Sequence, residues 1–349
     1  MGSVRMQPLA KTNDVRGFPR MPGEIQEMLY LDKHDLIVTL DRSGAQQPVV
    51  ALEFMTHTPQ SQHTKQRFCR LVAAAQQKVP VGFVFPERKL SGGQMYTCTL
   101  DIFYALQRLM DIHRIPRFGY FWPDDDGRLR HSRRHPSAPR EEGDVPRVFN
   151  LVDRCVNYAV QNRPLTLLTA EPSLREDLDQ NRRLGYRDRV EIERYAGLKL
   201  QPTAGLVRAL RKYGLTPSKL PDYFLGRELS LVQTHDFRAA SSREGVRTDP
   251  YAGMQAFFDY CFCRIGPSYR QRRYNLIFRA QGVAFDSYAQ KYRGYWKRRC
   301  PFGATKRPKD VPFLNLHIKS GCRYTKEKAL RTYGYLSDML IFDDFVLYG

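Results

Sequence analysis

The feature that most constrains the fold is an alternation of short apolar runs with helical patterns between Met21 and Trp122. Four runs carry the hydrophobicity of buried strands, and three stretches repeat apolar residues at helical spacing. Turn-forming residues at 41–47 separate the first two strands, which predicts a hairpin. This order predicts a mixed α/β core, in which helices cover a sheet. The predicted elements are helix 21–31, strand 34–40, strand 48–55, helix 61–78, strand 79–85, helix 99–113 and strand 117–122.

The chain has 349 residues, a length typical of two domains or of one core with a large elaboration. Residues 123–147 are rich in proline and charge, which predicts a linker or an exposed loop. Residues 148–240 carry mostly helical patterns, and the pattern after about residue 241 favours no single assignment. The predicted division is a flexible arm at 1–20, the core at 21–122, the linker at 123–147 and a large helical and basic elaboration at 148–349.

Positive charge is concentrated near the C-terminal end. The net charge is +20 and the pI is near 9.8, and residues 261–331 hold eighteen Lys and Arg against three acidic residues. Aromatic residues are interleaved with these cations, which favours a nucleic-acid surface over a plain solvated face. The candidate DNA contacts are Arg272, Arg273, Lys297, Arg298, Arg299, Lys306 and Arg307.

Other features exclude several classes of protein. No apolar run reaches the roughly 18–20 residues of a membrane helix, and the N-terminal residues lack the apolar segment of a secretory signal. The seven cysteines are scattered and form no CxxC pair, which indicates reduced thiols in a cytoplasmic protein. We therefore expect no membrane partner and no disulfide framework.

Two acidic residues mark a candidate metal site. Asp35 begins the first predicted strand and Glu53 stands near the end of the second, so a hairpin would bring them together. Paired carboxylates favour a hard cation such as Mg²⁺, which activates water and neutralises a phosphate under attack. The alternative is that Asp35 caps a strand and Glu53 lies on the surface. However, Glu53 interrupts the apolar run PVVALEFM, where an unpaired charge is costly.

The segments HDLIV and PVVALEFM resemble the PD-(D/E)xK nuclease superfamily, and type II restriction endonucleases within it. The resemblance covers residues 21–122 and implies a restriction-endonuclease-like αβββαβ core. It implies that Asp35 and Glu53 hold the metal, that a carbonyl near Phe54 completes the metal shell, and that Glu24 or Glu27 is an accessory acid.

The sequence departs from this family at the lysine of the (D/E)xK element, because Met55 occupies that position. A thioether neither orients a water nor stabilises an anion. The following helix offers Lys65 and Gln66, and we expect one of them to take this role, with a slight preference for Lys65 because it is charged. The alternative is that both lie on a solvated helix face.

The resemblance and the basic charge predict an Mg²⁺-dependent endonuclease that hydrolyses double-stranded DNA. Cleavage at a palindrome would require a twofold homodimer, because protein symmetry mirrors site symmetry. One alternative is a nucleic-acid-binding protein with a nuclease fold and no activity, because Met55 replaces the lysine. Another is an RNA-processing nuclease, since no residue distinguishes the two polymers.

Overall fold

The predicted alternation of strands and helices is present in the computed structural model. Its helices are α1 Gly23–Leu31, α2 Ser61–Gln66, α3 Phe68–Gln76, α4 Asp101–His113, α5 Val145–Val160, α6 Arg175–Arg187, α7 Thr203–Leu210, α8 Asp222–Leu225 and α9 Asp249–Phe258. Its strands are β1 Leu36–Arg42, β2 Ala45–Phe54, β3 Val81–Pro86, β4 Arg88–Ser91, β5 Gln94–Thr97, β6 Arg117–Trp122, β7 Leu198–Pro202, β8 Leu229–Asp236, β9 Asn275–Gln281, β10 Phe313–Asn315, β11 Met339–Ile341 and β12 Val346–Tyr348. The structure describes residues 8–9, 18–55, 61–86, 88–91, 94–97, 101–122, 144–187, 190–237, 249–284, 312–315 and 334–349.

The first sheet has the strand order β1-β2-β3-β6. Strands β1 and β2 form the predicted antiparallel hairpin, while β2, β3 and β6 run parallel. The helix predicted at 61–78 is two helices, α2 and α3, which are separated at Arg67. This helical pair stands between the second and third strands, so the chain departs from a strict αβββαβ order. A separate hairpin, β4 with β5, precedes α4.

Both faces of β2 are buried, which explains its almost continuous apolar sequence. Side chains alternate across a strand. Ala51 and Met55 pack in the cluster that contains α1 and α3, whereas Val50 and Leu52 pack against α5. The sheet is therefore a middle layer between helices, as the mixed α/β prediction requires.

The second sheet has six strands in the order β10-β12-β11-β9-β8-β7. Two of them, the edge strand β7 and its neighbour β8, lie within residues 148–240, so the mostly helical prediction for that range missed two of the six strands. Helix α5 begins at Val145, so the last residues of the predicted linker are helical. Residues 123–143 of that linker, and 1–7 and 10–17 of the predicted arm, lie outside the described residues.

The two sheets share one hydrophobic core. A single buried cluster contains Phe83 of the first sheet, Leu276 of the second, and Phe68 and Phe257 from α3 and α9. Helix α9 packs on α2 and α3, and a π-helical turn, Asp259–Cys263, continues it. Helix α9, the π-helical turn and β9 thus belong to the same hydrophobic core as the β1–β2 hairpin.

Cysteine placement agrees with reduced thiols. Cys69, Cys155, Cys261 and Cys263 are buried and none of these four forms a disulfide, and the last two lie in the apolar π-helical turn. Within the described ranges, no helix combines the length and the apolar character needed to cross a membrane.

Candidate active site

The hairpin brings Asp35 and Glu53 together at one end of the first sheet. The register pairs Leu36 with Leu52, so the next residues outward, Asp35 and Glu53, face each other. The Asp35 N–H donates to Glu53 Oε1 at 3.2 Å, and the Phe54 N–H donates to Asp35 Oδ2 at 3.0 Å. Backbone and side chain therefore lock the two acids in place, as the pattern predicts.

Two arginines lie against these acids. Arg70 Nη1 is 2.9 Å from Asp35 Oδ1 and 2.7 Å from Glu53 Oε2. Its Nε is 3.3 Å from Asp32 Oδ2, so a third acid joins the cluster. Arg67 Nη1 is 2.7 Å from Asp35 Oδ2. The two arginines are three residues apart at the start of α3, which places them on one side of that helix.

Three oxygen atoms converge on one atom of Arg67. Its Nη1 lies 2.7 Å from Asp35 Oδ2, 2.9 Å from the Phe54 carbonyl oxygen and 3.7 Å from Glu53 Oε2. Two of these oxygens are carboxylate and one is a backbone carbonyl. Such hard oxygens are the ligands that Mg²⁺ prefers, and the nitrogen they surround belongs to a positively charged guanidinium.

Burial and charge act in opposite directions on the two acids. Full burial raises the pKa of Glu53 to about 8, although Arg70 opposes the shift. Burial also raises the pKa of Asp35, but the Phe54 N–H and the arginine charges outweigh it, so that pKa lies below its ordinary value. The Asp35 carboxyl is therefore ionised at neutral pH, whereas ionisation of Glu53 depends on the cations beside it.

His34 supports the cluster from behind. Its Nε2 lies 2.9 Å from the Arg70 carbonyl oxygen, so it ties β1 to α3. Burial lowers the pKa of His34 to about 4, which keeps the imidazole neutral near pH 7. A neutral ring adds no charge to the site, so the electrostatics are set by Asp32, Asp35, Glu53 and the two arginines.

Lys65 lies elsewhere, contrary to the prediction. It is buried, and its Nζ is 2.6 Å from the carboxylate of Asp101 on α4. The same Nζ lies 4.8 Å from the ring centroid of Tyr195 and 5.0 Å from that of Phe257. The face of α2 that carries Lys65 packs toward α9. Lys65 therefore forms an internal ion pair and makes no contact with Asp35 or Glu53. It therefore cannot replace the missing lysine in this arrangement.

Gln66 meets α9 through its backbone. Its carbonyl oxygen accepts a hydrogen bond from Cys69 Sγ at 3.7 Å and lies closely against Gly253. Met55 is buried in the core, and its N–H donates to the Val84 carbonyl at 2.8 Å. The structure thus brings neither residue into contact with the acid pair.

Glu24 lies at the other end of the first sheet. It lines a surface cavity of about 410 Å³ together with Gln47 and Pro48 at the start of β2. Glu53 is five residues beyond Pro48 on that strand, which corresponds to about 16 Å along it. Glu27, one turn further along α1, is partly exposed. Glu24 is therefore not an accessory acid of the Asp35–Glu53 site.

The predicted DNA contacts divide into three groups. Arg272 is fully buried: its Nε donates to Asp259 Oδ1 at 2.7 Å and its Nη1 to Asp338 Oδ1 at 3.1 Å. Its prediction as a DNA contact is wrong, because a paired interior arginine cannot reach a phosphate. Arg273 is exposed, and its guanidinium lies 4.8 Å from the ring centroid of Tyr274. The others lie outside the described residues: Lys297, Arg298, Arg299, Lys306 and Arg307.

The sequence analysis missed Arg67, Arg70 and Asp32. A signal for the arginines was present, because a buried Glu53 needs a counter-charge and two cations follow it at helical spacing. The two predicted replacements for the lysine, Lys65 and Gln66, immediately precede Arg67 in the sequence. Asp32 lies in the turn before β1 and carries no local signal of its role.

No protein-family model matches the chain, and comparisons with curated proteins and with solved structures also find no match. The chemistry of the site therefore carries the functional argument.

Proposed function

We propose that the chain is an Mg²⁺-dependent endonuclease that hydrolyses DNA phosphodiester bonds, with a restriction-endonuclease-like core. The observation that carries the proposal is the convergence of Asp35, Glu53 and the Phe54 carbonyl on one nitrogen of a positively charged guanidinium. The +20 net charge of the chain favours a polyanionic substrate such as DNA. Sequence-specific cleavage of the type II kind is the form that the resemblance implies.

The donor set fits Mg²⁺. This ion is commonly bound by one or two carboxylates and keeps several waters, and the site offers two carboxylates and a carbonyl. Among the described residues, no three His, Cys, Asp or Glu side chains cluster as a metal site, so the Phe54 carbonyl would be the third ligand. When bound, Mg²⁺ would activate a water and neutralise charge on the scissile phosphate.

Arg70 takes the place that the family gives to lysine. It is held by Asp32, Asp35 and Glu53, so its guanidinium is a fixed positive charge beside the acids. Arginine stays protonated in proteins, so Arg70 cannot accept a proton from water. Its role in this proposal is to orient Glu53 and to stabilise negative charge on the phosphate.

DNA is preferred over RNA because of the restriction-like resemblance. The exposed Arg273 and the basic segment that follows it supply phosphate contacts, most of which carry no sequence information. A twofold homodimer would present two such sites to a palindrome. A cytoplasmic location fits the free, buried thiols.

One observation favours a second function. Arg67 and Arg70 form ion pairs with the two carboxylates, and Met55 occupies the lysine position. Carboxylates that are paired with arginines in this way are typical of a structural ion-pair network as well as of a metal site. The alternative is therefore a nucleic-acid-binding protein that lacks cleavage activity.

A cleavage assay separates the two functions. Purified protein is mixed with unmethylated phage or plasmid DNA in Mg²⁺ or in EDTA, together with Asp35→Ala, Glu53→Ala and the exposed control Asp153→Ala. We expect discrete Mg²⁺-dependent fragments, which the two site variants reduce at least about 100-fold while a gel shift persists. Retained cleavage in both site variants would refute the site. A gel shift without cleavage by the wild type would support the inactive binding protein.

A further inference from the structure

We propose that Arg67 holds the position of the divalent cation in the ion-free protein and has to leave when the ion binds. The inference rests on the proposed function and concerns the regulation of the same site. It assigns Arg67 as an internal competitor for Mg²⁺, in contrast to Arg70, which stays in place.

The first argument is geometric. Arg67 Nη1 lies within 4 Å of all three candidate ligand oxygens, at 2.7, 2.9 and 3.7 Å. A cation that binds the same three oxygens at the shorter distances of a metal–oxygen bond leaves no room for a guanidinium nitrogen among them. Occupation by the ion and by Arg67 is therefore mutually exclusive.

The second argument is the difference between the two arginines. The side chain of Arg67 is 32% exposed and that of Arg70 is 16% exposed. Within the described residues, the side chain of Arg67 makes its polar contacts through Nη1, so rotation of this one long side chain releases it into solvent. Arg70 instead contacts three acids through two nitrogens, and its backbone carbonyl is held by His34.

The third argument is charge. The cluster contains three acids, Asp32, Asp35 and Glu53, and two arginines. When all three acids are ionised, its net charge is therefore −1. Departure of Arg67 changes that net charge to −2, equal and opposite to the charge of Mg²⁺. The retained Arg70 therefore completes a neutral site, whereas a retained Arg67 would repel the ion at short range.

The test measures Mg²⁺ binding without DNA. Wild-type protein, Arg67→Gln and Arg42→Gln are titrated with Mg²⁺ by calorimetry, and the Mg²⁺-induced rise in Tm is recorded for each. Arg42→Gln is a matched control, because this substitution removes the same charge at the far end of the hairpin. Arg42 lies about 20 Å from Asp35 along the strand, which is beyond the screening length at physiological salt. Circular dichroism confirms that each variant is folded.

We expect Arg67→Gln to bind Mg²⁺ about tenfold more tightly than the wild type, since a competing charge is lost from the ligand oxygens. Its Tm rise with Mg²⁺ should exceed that of the wild type, and Arg42→Gln should change neither value. Equal or weaker Mg²⁺ binding by Arg67→Gln would overturn the inference.

The outcome for the proposed function is separate. A wild type that cleaves DNA, with Arg67→Gln binding Mg²⁺ no more tightly, would refute the inference alone. No Mg²⁺ binding by any variant, together with no cleavage by the wild type, would refute both.

Discussion

At the scale of single residues, the burial of one acid explains the composition of the site. Glu53 has no exposed side-chain surface, and a buried carboxylate is tolerated only when it is paired and hydrogen-bonded. Arg70 and the Asp35 N–H meet both needs. The same rule explains Lys65, which is paired with Asp101 inside the core and is therefore unavailable to the site.

Arg70→Gln tests this account. It leaves Glu53 and Asp32 buried without their main cation, so we expect the free energy of unfolding to fall by about 3 kcal/mol. Arg67→Gln is the control, since its partly exposed pair should contribute less than about 1 kcal/mol. Urea denaturation with linear extrapolation measures both. Equal losses in the two variants would contradict the distinction between a fixed and a displaceable arginine.

At the scale of elements, the position of α2 and α3 is fixed by close contact with α9. A Cβ atom added at Gly253 would lie 2.0 Å from the backbone oxygen of Gln66. Only glycine permits this approach of one backbone to another. The contact holds Arg67, the next residue, at the junction between α2 and α3 and so fixes where the site arginines begin.

Gly253→Ala should therefore destabilise the protein although alanine favours helices. We expect a loss of about 2 kcal/mol or more, because backbone has to move to admit the methyl group. Gly205→Ala on α7 is the matched control: its nearest neighbour would be an Arg208 side-chain nitrogen at 3.9 Å. That variant should gain about 0.5 kcal/mol from helix propensity. Thermal and urea unfolding distinguish the two, and a neutral Gly253→Ala would exclude the close packing.

At the scale of the whole molecule, a buried ionic network joins the C-terminal strands to the core. Asp259 at the end of α9 pairs with Arg264 and Arg272, and Asp338 before β11 pairs with Arg272 and Arg227. Part of the basic charge that the sequence assigns to a nucleic-acid surface is therefore internal. The surface charge available for DNA is smaller than the count suggests.

Arg272→Met and Arg273→Met separate these two uses of arginine. The first leaves Asp259 and Asp338 with fewer buried partners, and we expect a loss of about 3–5 kcal/mol in unfolding free energy. The second removes one hydrogen bond, from Arg273 Nε to the Phe262 carbonyl, so we expect a smaller loss of about 1 kcal/mol. DNA affinity measured against salt should weaken for Arg273→Met, with a shallower salt dependence. An Arg272→Met protein of normal stability would refute the structural role of Arg272.

The sequence by itself determined most of the order of elements between residues 21 and 122, without the β4–β5 hairpin and the division between α2 and α3, and it determined the meeting of Asp35 with Glu53. These features are local: strand and helix periodicities differ, and a short hairpin turn fixes which residues face each other. The resemblance added the expectation that those two acids hold a metal ion and that the substrate is DNA.

Only the tertiary structure decided which cations serve the site. Lys65, Arg67 and Arg70 lie on one short stretch, and their sequence spacing does not tell which of them faces β2. That choice depends on α9, whose Gly253 contacts Gln66 from 187 positions further along the chain. The same holds for Arg272, which is paired in the interior because Asp259 and Asp338 come together there. A charged side chain is exposed or buried according to what long-range packing places beside it, and no local pattern contains that information.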